Sequence, residues 1–77
     1  MAPTLADLAL GAAGVLRALD LAPTHARYLM ELGFLPGARI IAVGAAPGGD
    51  PRVYRVDGAD VALRRETARH LVLDVTP

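Results

Sequence analysis

The sequence contains no cysteine, lysine, serine, asparagine, glutamine or tryptophan, and each absence excludes a kind of chemistry. Without cysteine there is no disulfide, no zinc–thiolate site, no iron–sulfur cluster and no thiol nucleophile. Without lysine there is no Walker A loop for nucleotide phosphates and no Schiff-base amine. Without serine there is no serine triad. Threonine, tyrosine, two histidines and scattered carboxylates remain, so we expect a protein that is not an enzyme.

Positive and negative charges are balanced. Eight basic residues, all of them arginine, match eight acidic residues, so the net charge is zero. A neutral chain has no long-range field that would attract nucleic acid or an anionic membrane. Aromatic residues make up only 4% of the chain, which leaves no stacking platform for single strands. The cluster of Arg64, Arg65 and Arg69 is flanked by Asp60 and Glu66, which favours a solvated face. We therefore expect no nucleic-acid partner.

Long hydrophobic runs are also missing. The uncharged stretch at residues 8–16 is far shorter than the roughly 20 residues that cross a bilayer. No basic residue precedes it, and Asp7 stands where a signal peptide carries positive charge. We expect a cytoplasmic protein that does not insert into the membrane itself.

Apolar residues make up 53% of the 77 positions, which is typical of a globular chain. A chain of this length builds one small core, so we expect a single domain over residues 1–77. No internal repeat or linker interrupts it.

The first segment permits two interpretations. Apolar residues recur at helical spacings of three and four, at Leu5, Leu8, Ala12, Leu16 and Leu19. Gly11 and Gly14 would each cost a helix about 1 kcal/mol relative to alanine. The alternative is a turn at residues 11–14 followed by a strand over residues 15–19. The local pattern leaves both open.

The next segment predicts a helix over residues 25–32 with Thr24 as its N-terminal cap. Gly33 suits the left-handed position just after a helix, and Phe34 would then pack on Leu29, as in a Schellman motif. The Leu-Pro-Gly-Ala sequence that follows has proline second and glycine third, which predicts a type II turn.

The remainder has the pattern of short strands. Asp57-Gly58 predicts a tight hairpin turn, residues 46–51 a loop and residues 64–70 about one helical turn. Strands are predicted over residues 39–43, 52–56, 61–63 and 71–75. Short, numerous strands with one early helix indicate a mainly β protein built as a small barrel.

Residues 27–37, with the sequence RYLMELGFLPG, resemble the signature of the FeoA family: an arginine-bearing helix that ends in Leu-Gly, then an apolar pair and Pro-Gly. The ordered match continues through the paired isoleucines at 40–41, through residues 46–51 and through residues 61–68. The resemblance covers nearly the whole chain. It implies an SH3-like β-barrel of about five strands with one inserted α-helix, and hence a strand over residues 15–19.

The resemblance also implies a function. Members of this family are small cytoplasmic accessory proteins of ferrous iron uptake that act with FeoB, a membrane permease bearing a GTP-binding domain. A related barrel forms the C-terminus of metal-dependent repressors, so the alternative is a transition-metal-binding domain that responds to Fe²⁺ or Zn²⁺. No winged-helix domain precedes the barrel in this sequence, which argues against a repressor. The helix carries one arginine where relatives often have two or three, so docking of this helix on an acidic surface is expected to be weaker.

Candidate partner-binding residues are apolar side chains away from the core, with arginines at their rim. If Ile40 and Ala42 point inward, the neighbouring Ile41 and Val43 point outward, because side chains alternate along a strand. The candidates are Arg27, Tyr28, Leu32, Leu35, Arg39, Ile41 and Val43. Together they predict a docking surface for the permease, and they also allow a homo-oligomer.

Candidate metal ligands are few. Glu66 and His70 are four positions apart and would share a face if that stretch were helical. His25 stands alone, because Glu31 is six positions away on the predicted helix. Two ligands would bind Fe²⁺ or Zn²⁺ only weakly, so we expect surface histidines and no resident cofactor.

Overall fold

The computed structural model describes residues 2–74. Five strands form one antiparallel sheet in the order β4-β3-β2-β1-β5. The strands are β1 (Ala13–Leu19), β2 (Arg39–Ala45), β3 (Arg52–Val56), β4 (Ala59–Leu63) and β5 (Leu71–Leu73). The helices are α1 (Pro23–Glu31) and α2 (Arg65–Ala68), with short 3₁₀ turns at Leu5–Asp7 and Pro47–Gly49. The predicted mainly β fold with one early inserted helix is confirmed.

The ambiguous first segment is a strand. β1 pairs antiparallel with both β2 and β5, so it lies inside the sheet. A Cβ atom at Gly14 would come within 2.9 Å of Leu73 Cδ1, so this glycine makes room for a core side chain. The helical spacing of the leucines is therefore misleading, because pairing on both sides decides the conformation.

Helix α1 begins earlier than predicted. Its first residue is Pro23, its N-terminal cap is Ala22, and no side chain caps it. The predicted Thr24 cap is wrong, because proline at the first helical position already holds the backbone torsion that a helix needs. Among residues 2–74 the longest helix is this one, at nine residues, and none is long and apolar enough to cross a membrane.

The end of α1 is a Schellman motif, as predicted. The Phe34 N–H donates to the Leu29 carbonyl at 3.1 Å, and the Gly33 N–H donates to the Met30 carbonyl at 3.0 Å. Gly33 has a φ of +110°, in the left-handed region. Leu29 and Phe34 are both buried in one core cluster, so the motif directs the chain from the helix into the core.

Two tight turns were predicted, one before β2 and one between β3 and β4. The type II turn before β2 is closed by the Ala38 N–H, which donates to the Leu35 carbonyl at 2.9 Å. The β3–β4 turn has positive φ at both Asp57 and Gly58, as a type I′ hairpin turn requires. Both predictions are confirmed, and β3 and β4 pair in register along their full length.

The core lies between the curled sheet, the end of α1 and the N-terminal 3₁₀ turn. Its buried side chains are Leu5, Leu16, Leu29, Phe34, Ile40, Ala42, Tyr54, Val56, Leu63, Ala68, Leu71 and Leu73. The last strand ends at Leu73, earlier than predicted, and Val75 lies outside the described residues.

Candidate docking surface

A groove with a volume of ≈ 420 Å³ lies where the end of α1, the turn before β2 and the β3–β4 turn meet. The residues that line it are Gly33, Leu35, Ala38, Arg39, Val56 and Asp57. Leu35 is 47% exposed at the tip of the turn, whereas Val56 is buried beneath. The groove therefore combines an exposed apolar rim with an apolar floor, the features of a docking site for a partner side chain.

Two opposite charges border the groove without neutralising each other. Arg39, the first residue of β2, and Asp57, in the turn after β3, both line it. Within residues 2–74 the ion pair formed is that of Arg55 with Asp60, at 2.8 Å, and neither Arg39 nor Asp57 has an oppositely charged group within 4.0 Å. Both side chains are exposed to solvent, where charged groups of a partner protein can reach them.

The outer face of the sheet continues the apolar surface away from the groove. Ile40 and Ala42 are fully buried, so the predicted alternation along β2 is confirmed and Ile41 and Val43 lie on the outer face. Val43 is 37% exposed and lies at a bulge of the β2–β3 pairing. Ile41 is half-buried between its cross-strand neighbours on β1 and β3.

The helix candidates lie on a different element. Tyr28 is 59% exposed, and Leu32, four residues later, is half-buried against the core. Arg27 is exposed. None of the three lines the groove. The structure thus brings Leu35 and Arg39 together, with the outward residues of β2 beyond them, and leaves the helix candidates on α1.

Three exposed apolar residues were not predicted: Leu10, Val15 and Met30, which is 37% exposed on α1. Leu10, 58% exposed, occupies the tip of the turn before β1, beside the middle of β2, because the Gly11 N–H donates to the Ala42 carbonyl at 2.7 Å. Val15, 39% exposed, lies on β1 directly across from Arg39. The alternation of β1 would have indicated Val15 once that segment was known to be a strand. No local signal indicates that Leu10 is exposed.

The metal candidates do not form a site. His25 is exposed in the first turn of α1, and His70 follows α2. Because α2 ends at Ala68, Glu66 and His70 do not share one continuous helical face. Within the part of the chain that the structure describes, no three His, Cys, Asp or Glu side chains group where they could hold a metal ion.

The side chains of Tyr54 and Asp60 have shifted pKa values, and neither lines the groove. Burial raises the pKa of Tyr54, whose hydroxyl donates to the Leu5 carbonyl at 3.0 Å. Arg52, only 8% exposed, donates to the Ala6 carbonyl at 3.1 Å, and its guanidinium carbon lies 5.9 Å from the Tyr54 ring centre. The hydrogen bond from Arg55 lowers the pKa of Asp60. These groups stabilise the fold; none of them forms a nucleophile–base pair.

Comparison with known proteins identifies relatives of the same kind. A family model described as the FeoA domain matches residues 4–75. No curated protein matches the chain significantly. The chain resembles the iron(II) transport protein A of Clostridium thermocellum with a TM-score of 0.87 and 29% identity, over 95% of this chain and 45% of that one. The chain thus spans less than half of that protein's length.

This chain covers a larger share of two further proteins of known structure. The FeoA protein of Chlorobium tepidum has a TM-score of 0.89 and 27% identity, over 97% of this chain and 71% of that one. The zinc complex of Stenotrophomonas maltophilia FeoA has a TM-score of 0.83 and 36% identity, over 95% of this chain and 91% of that one. That protein is described as a prokaryotic SH3 domain protein and a candidate ferrous iron transport activating factor.

Proposed function

The chain belongs to the FeoA family, and we propose that it acts in the cytoplasm as a non-enzymatic accessory protein that docks on the FeoB-type ferrous iron permease. Family membership supports the link to ferrous iron transport, and the SH3-like fold is that of a relative described as an activating factor. Docking is the finer part of the proposal. It places this chain at the inner face of the membrane through its partner.

The observation that supports docking is that the exposed Leu35 and the charged Arg39 line the same groove. Apolar anchors in a pocket with a polar rim are where interfaces concentrate their binding energy. A partner segment that fits would place an apolar side chain in the groove and a carboxylate against Arg39. Ile41 and Val43 extend the contact along β2, and Tyr28, Leu32 and Arg27 would widen it on α1.

Docking would regulate the permease by state-selective binding. A protein without catalytic groups changes its partner's behaviour only if it binds one conformation more tightly than another. The GTP-binding domain of the permease alternates between nucleotide states, so we expect the affinity of this chain to depend on the bound nucleotide.

The test is a titration of this chain against the cytoplasmic GTP-binding domain of the permease from the same organism, with and without nucleotide. Replacing Leu35 by Asp should weaken binding at least about 30-fold, because it puts an unpaired charge into an apolar contact. Leu35 is exposed at a turn, so the variant should keep its fold, which circular dichroism checks.

The matched control is Ala45→Asp, which adds the same charge at an exposed position at the other end of β2. This control should bind like the wild type. Equal weakening by both variants would point to a general charge effect, and unchanged binding by folded Leu35→Asp would remove the groove from the proposal.

A second candidate is a metal-responsive domain, and the zinc complex of the Stenotrophomonas relative favours testing it. His25 and His70 are the histidines available, with Glu66 near the latter. Titration of Fe²⁺ and Zn²⁺ into wild type, His25→Ala and His70→Ala by calorimetry decides this. Saturable binding lost in one variant would support the metal role. Affinity weaker than about 1 mM in all three would end it.

A further inference from the structure

The two edge strands of the sheet, β5 and β4, differ in whether another segment pairs with their outer backbone groups. At the β5 edge, Thr4 forms a bridge with Val72, and the Leu73 N–H donates to the Pro3 carbonyl at 2.8 Å, so the N-terminal segment covers that edge. At the other edge, β4 pairs with β3 alone among the strands of residues 2–74. Residues 2–74 therefore cover one edge of the sheet and leave the β4 edge open.

The hairpin geometry decides which backbone groups of β4 are open. A two-residue turn makes its flanking pair, Val56 and Ala59, exchange hydrogen bonds, and the same holds at every second pair along the ladder. Asp60 and Ala62 fall between these pairs, so their N–H and C=O groups point away from β3. Both residues are exposed, and within residues 2–74 neither makes a backbone hydrogen bond outside the ladder.

We propose that β4 pairs antiparallel with β4 of a second copy of this chain, about a two-fold axis at Val61. In this register Asp60 of each copy lies opposite Ala62 of the other. The backbone groups of both residues point towards the partner, so each of the two pairs exchanges two hydrogen bonds. The sheets of the two copies then join into one, through the same segment on both.

The charges along the edge favour this occupant. β4 and its flanks are acidic at the start, with Asp57 and with Asp60, which already pairs with Arg55 of its own chain, and basic at the end, with Arg64 and Arg65, and all four are exposed. Antiparallel pairing places the acidic end of each copy alongside the basic end of the other. Among the usual means by which natural proteins block edge pairing, the strand has no lysine, proline or bulge and carries one charged side chain, that of Asp60.

The pairing uses the backbone edge of β4, whereas the proposed docking uses the groove and the outer face of β2, and Asp57 borders both. A dimer would present two docking surfaces at once. Strands of five residues bury less than the roughly 1,200–2,000 Å² of a standard interface, so association should be weak, with a Kd of about 0.1–1 mM.

The test is a concentration series followed by sedimentation equilibrium and by amide NMR shifts. We expect a dimer at about 1 mM, with the Asp60 and Ala62 amides among the most shifted. Ala62→Pro removes an N–H that the β3 ladder does not use, so it should keep the fold and weaken association at least about tenfold. Ala62→Ser, which keeps the N–H, should associate like the wild type.

A second variant controls for the possibility that proline distorts the strand locally. Arg65→Glu leaves the strand intact and sets like charges together at both ends of the paired strands, so it should also weaken association. A monomer at about 1 mM would overturn the proposal, as would a dimer that Ala62→Pro leaves unchanged. Shifts at these amides seen only when the permease domain is added would identify a different occupant and also overturn it.

Discussion

At the scale of single residues, Tyr54 is the polar group on which the core depends most. Its hydroxyl donates across 49 residues of sequence to the Leu5 carbonyl, and its side chain is fully buried. Replacing Tyr54 by Phe keeps the ring and removes this hydrogen bond, while the Leu5 carbonyl still accepts from the Leu8 N–H at 3.2 Å. We expect the free energy of unfolding to fall by about 1 kcal/mol, measured by urea denaturation.

The matched control for that hydroxyl is Tyr28→Phe. Tyr28 is 59% exposed, so its hydroxyl is free to hydrogen-bond to water in both states. The same change there should alter stability by less than about 0.5 kcal/mol. Similar losses in the two variants would mean that the Leu5 contact contributes nothing of its own.

Tyr54 also predicts a dependence of stability on alkaline pH. Burial raises its pKa above the ordinary value of about 10, so the folded state holds the proton more tightly than the unfolded chain does. This stabilisation is complete below about pH 10 and is lost as pH rises through the raised pKa. The chain has no lysine or cysteine, the other side chains that commonly titrate in this range.

The measurement is urea unfolding at about pH 8 and about pH 11. The wild type should lose stability between them, and Tyr54→Phe should lose less. Equal losses in both would show that another group causes the decline.

At the scale of elements, the end of α1 depends on Gly33. Its φ of +110° is strained for any residue with a Cβ, and that atom would also lie 3.4 Å from the Asp57 Cβ. Gly33→Ala should therefore destabilise the protein by about 1 kcal/mol or more. Gly44→Ala is the control, because Gly44 has an ordinary φ and open space around its Cβ position. Thermal melts should rank Gly33→Ala clearly below Gly44→Ala; equal melting temperatures would contradict this account.

The elements that could be predicted are those whose conformation is fixed by adjacent residues. The Schellman end at Gly33 and the turn at Asp57-Gly58 need particular backbone torsions, and glycine signals them locally. β1 could not be derived from its own pattern, because its partners, β2 and β5, come later in the chain. The resemblance to the FeoA family, and not the periodicity, indicated that strand.

The same distinction applies to the candidate docking surface: some of its features follow from adjacent residues and others depend on strand pairing. The outward direction of Ile41 and Val43 follows from alternation along one strand. That Arg39 and Asp57 line one groove depends on how β2 pairs with β3, and no local pattern contains that information. The burial of Arg52 was missed for the same reason, since its acceptor, the Ala6 carbonyl, is 46 residues away.

At the scale of the whole molecule, the N-terminal turn completes the fold. It covers the core with Leu5, accepts hydrogen bonds from Tyr54 and Arg52 on β3, and its preceding residues cover the edge of β5. The beginning of the chain therefore connects β3 with β5, which are separated by two strands in the sheet order. Its removal should affect stability everywhere, unlike the loss of an exposed loop.

Leu5→Ala tests this global role. Leu5 is fully buried, so truncating it leaves a cavity and should cost about 2–5 kcal/mol. A chain of 77 residues has a total stability of only about 4–12 kcal/mol, so the variant should melt far lower and become sensitive to protease. Leu10→Ala is the control, because Leu10 is 58% exposed and five residues away in sequence. Hydrogen exchange should speed up across all five strands in Leu5→Ala and stay unchanged in Leu10→Ala. If exchange quickened only in residues 2–8, the N-terminal turn would be a local appendage and β1–β5 would fold without it.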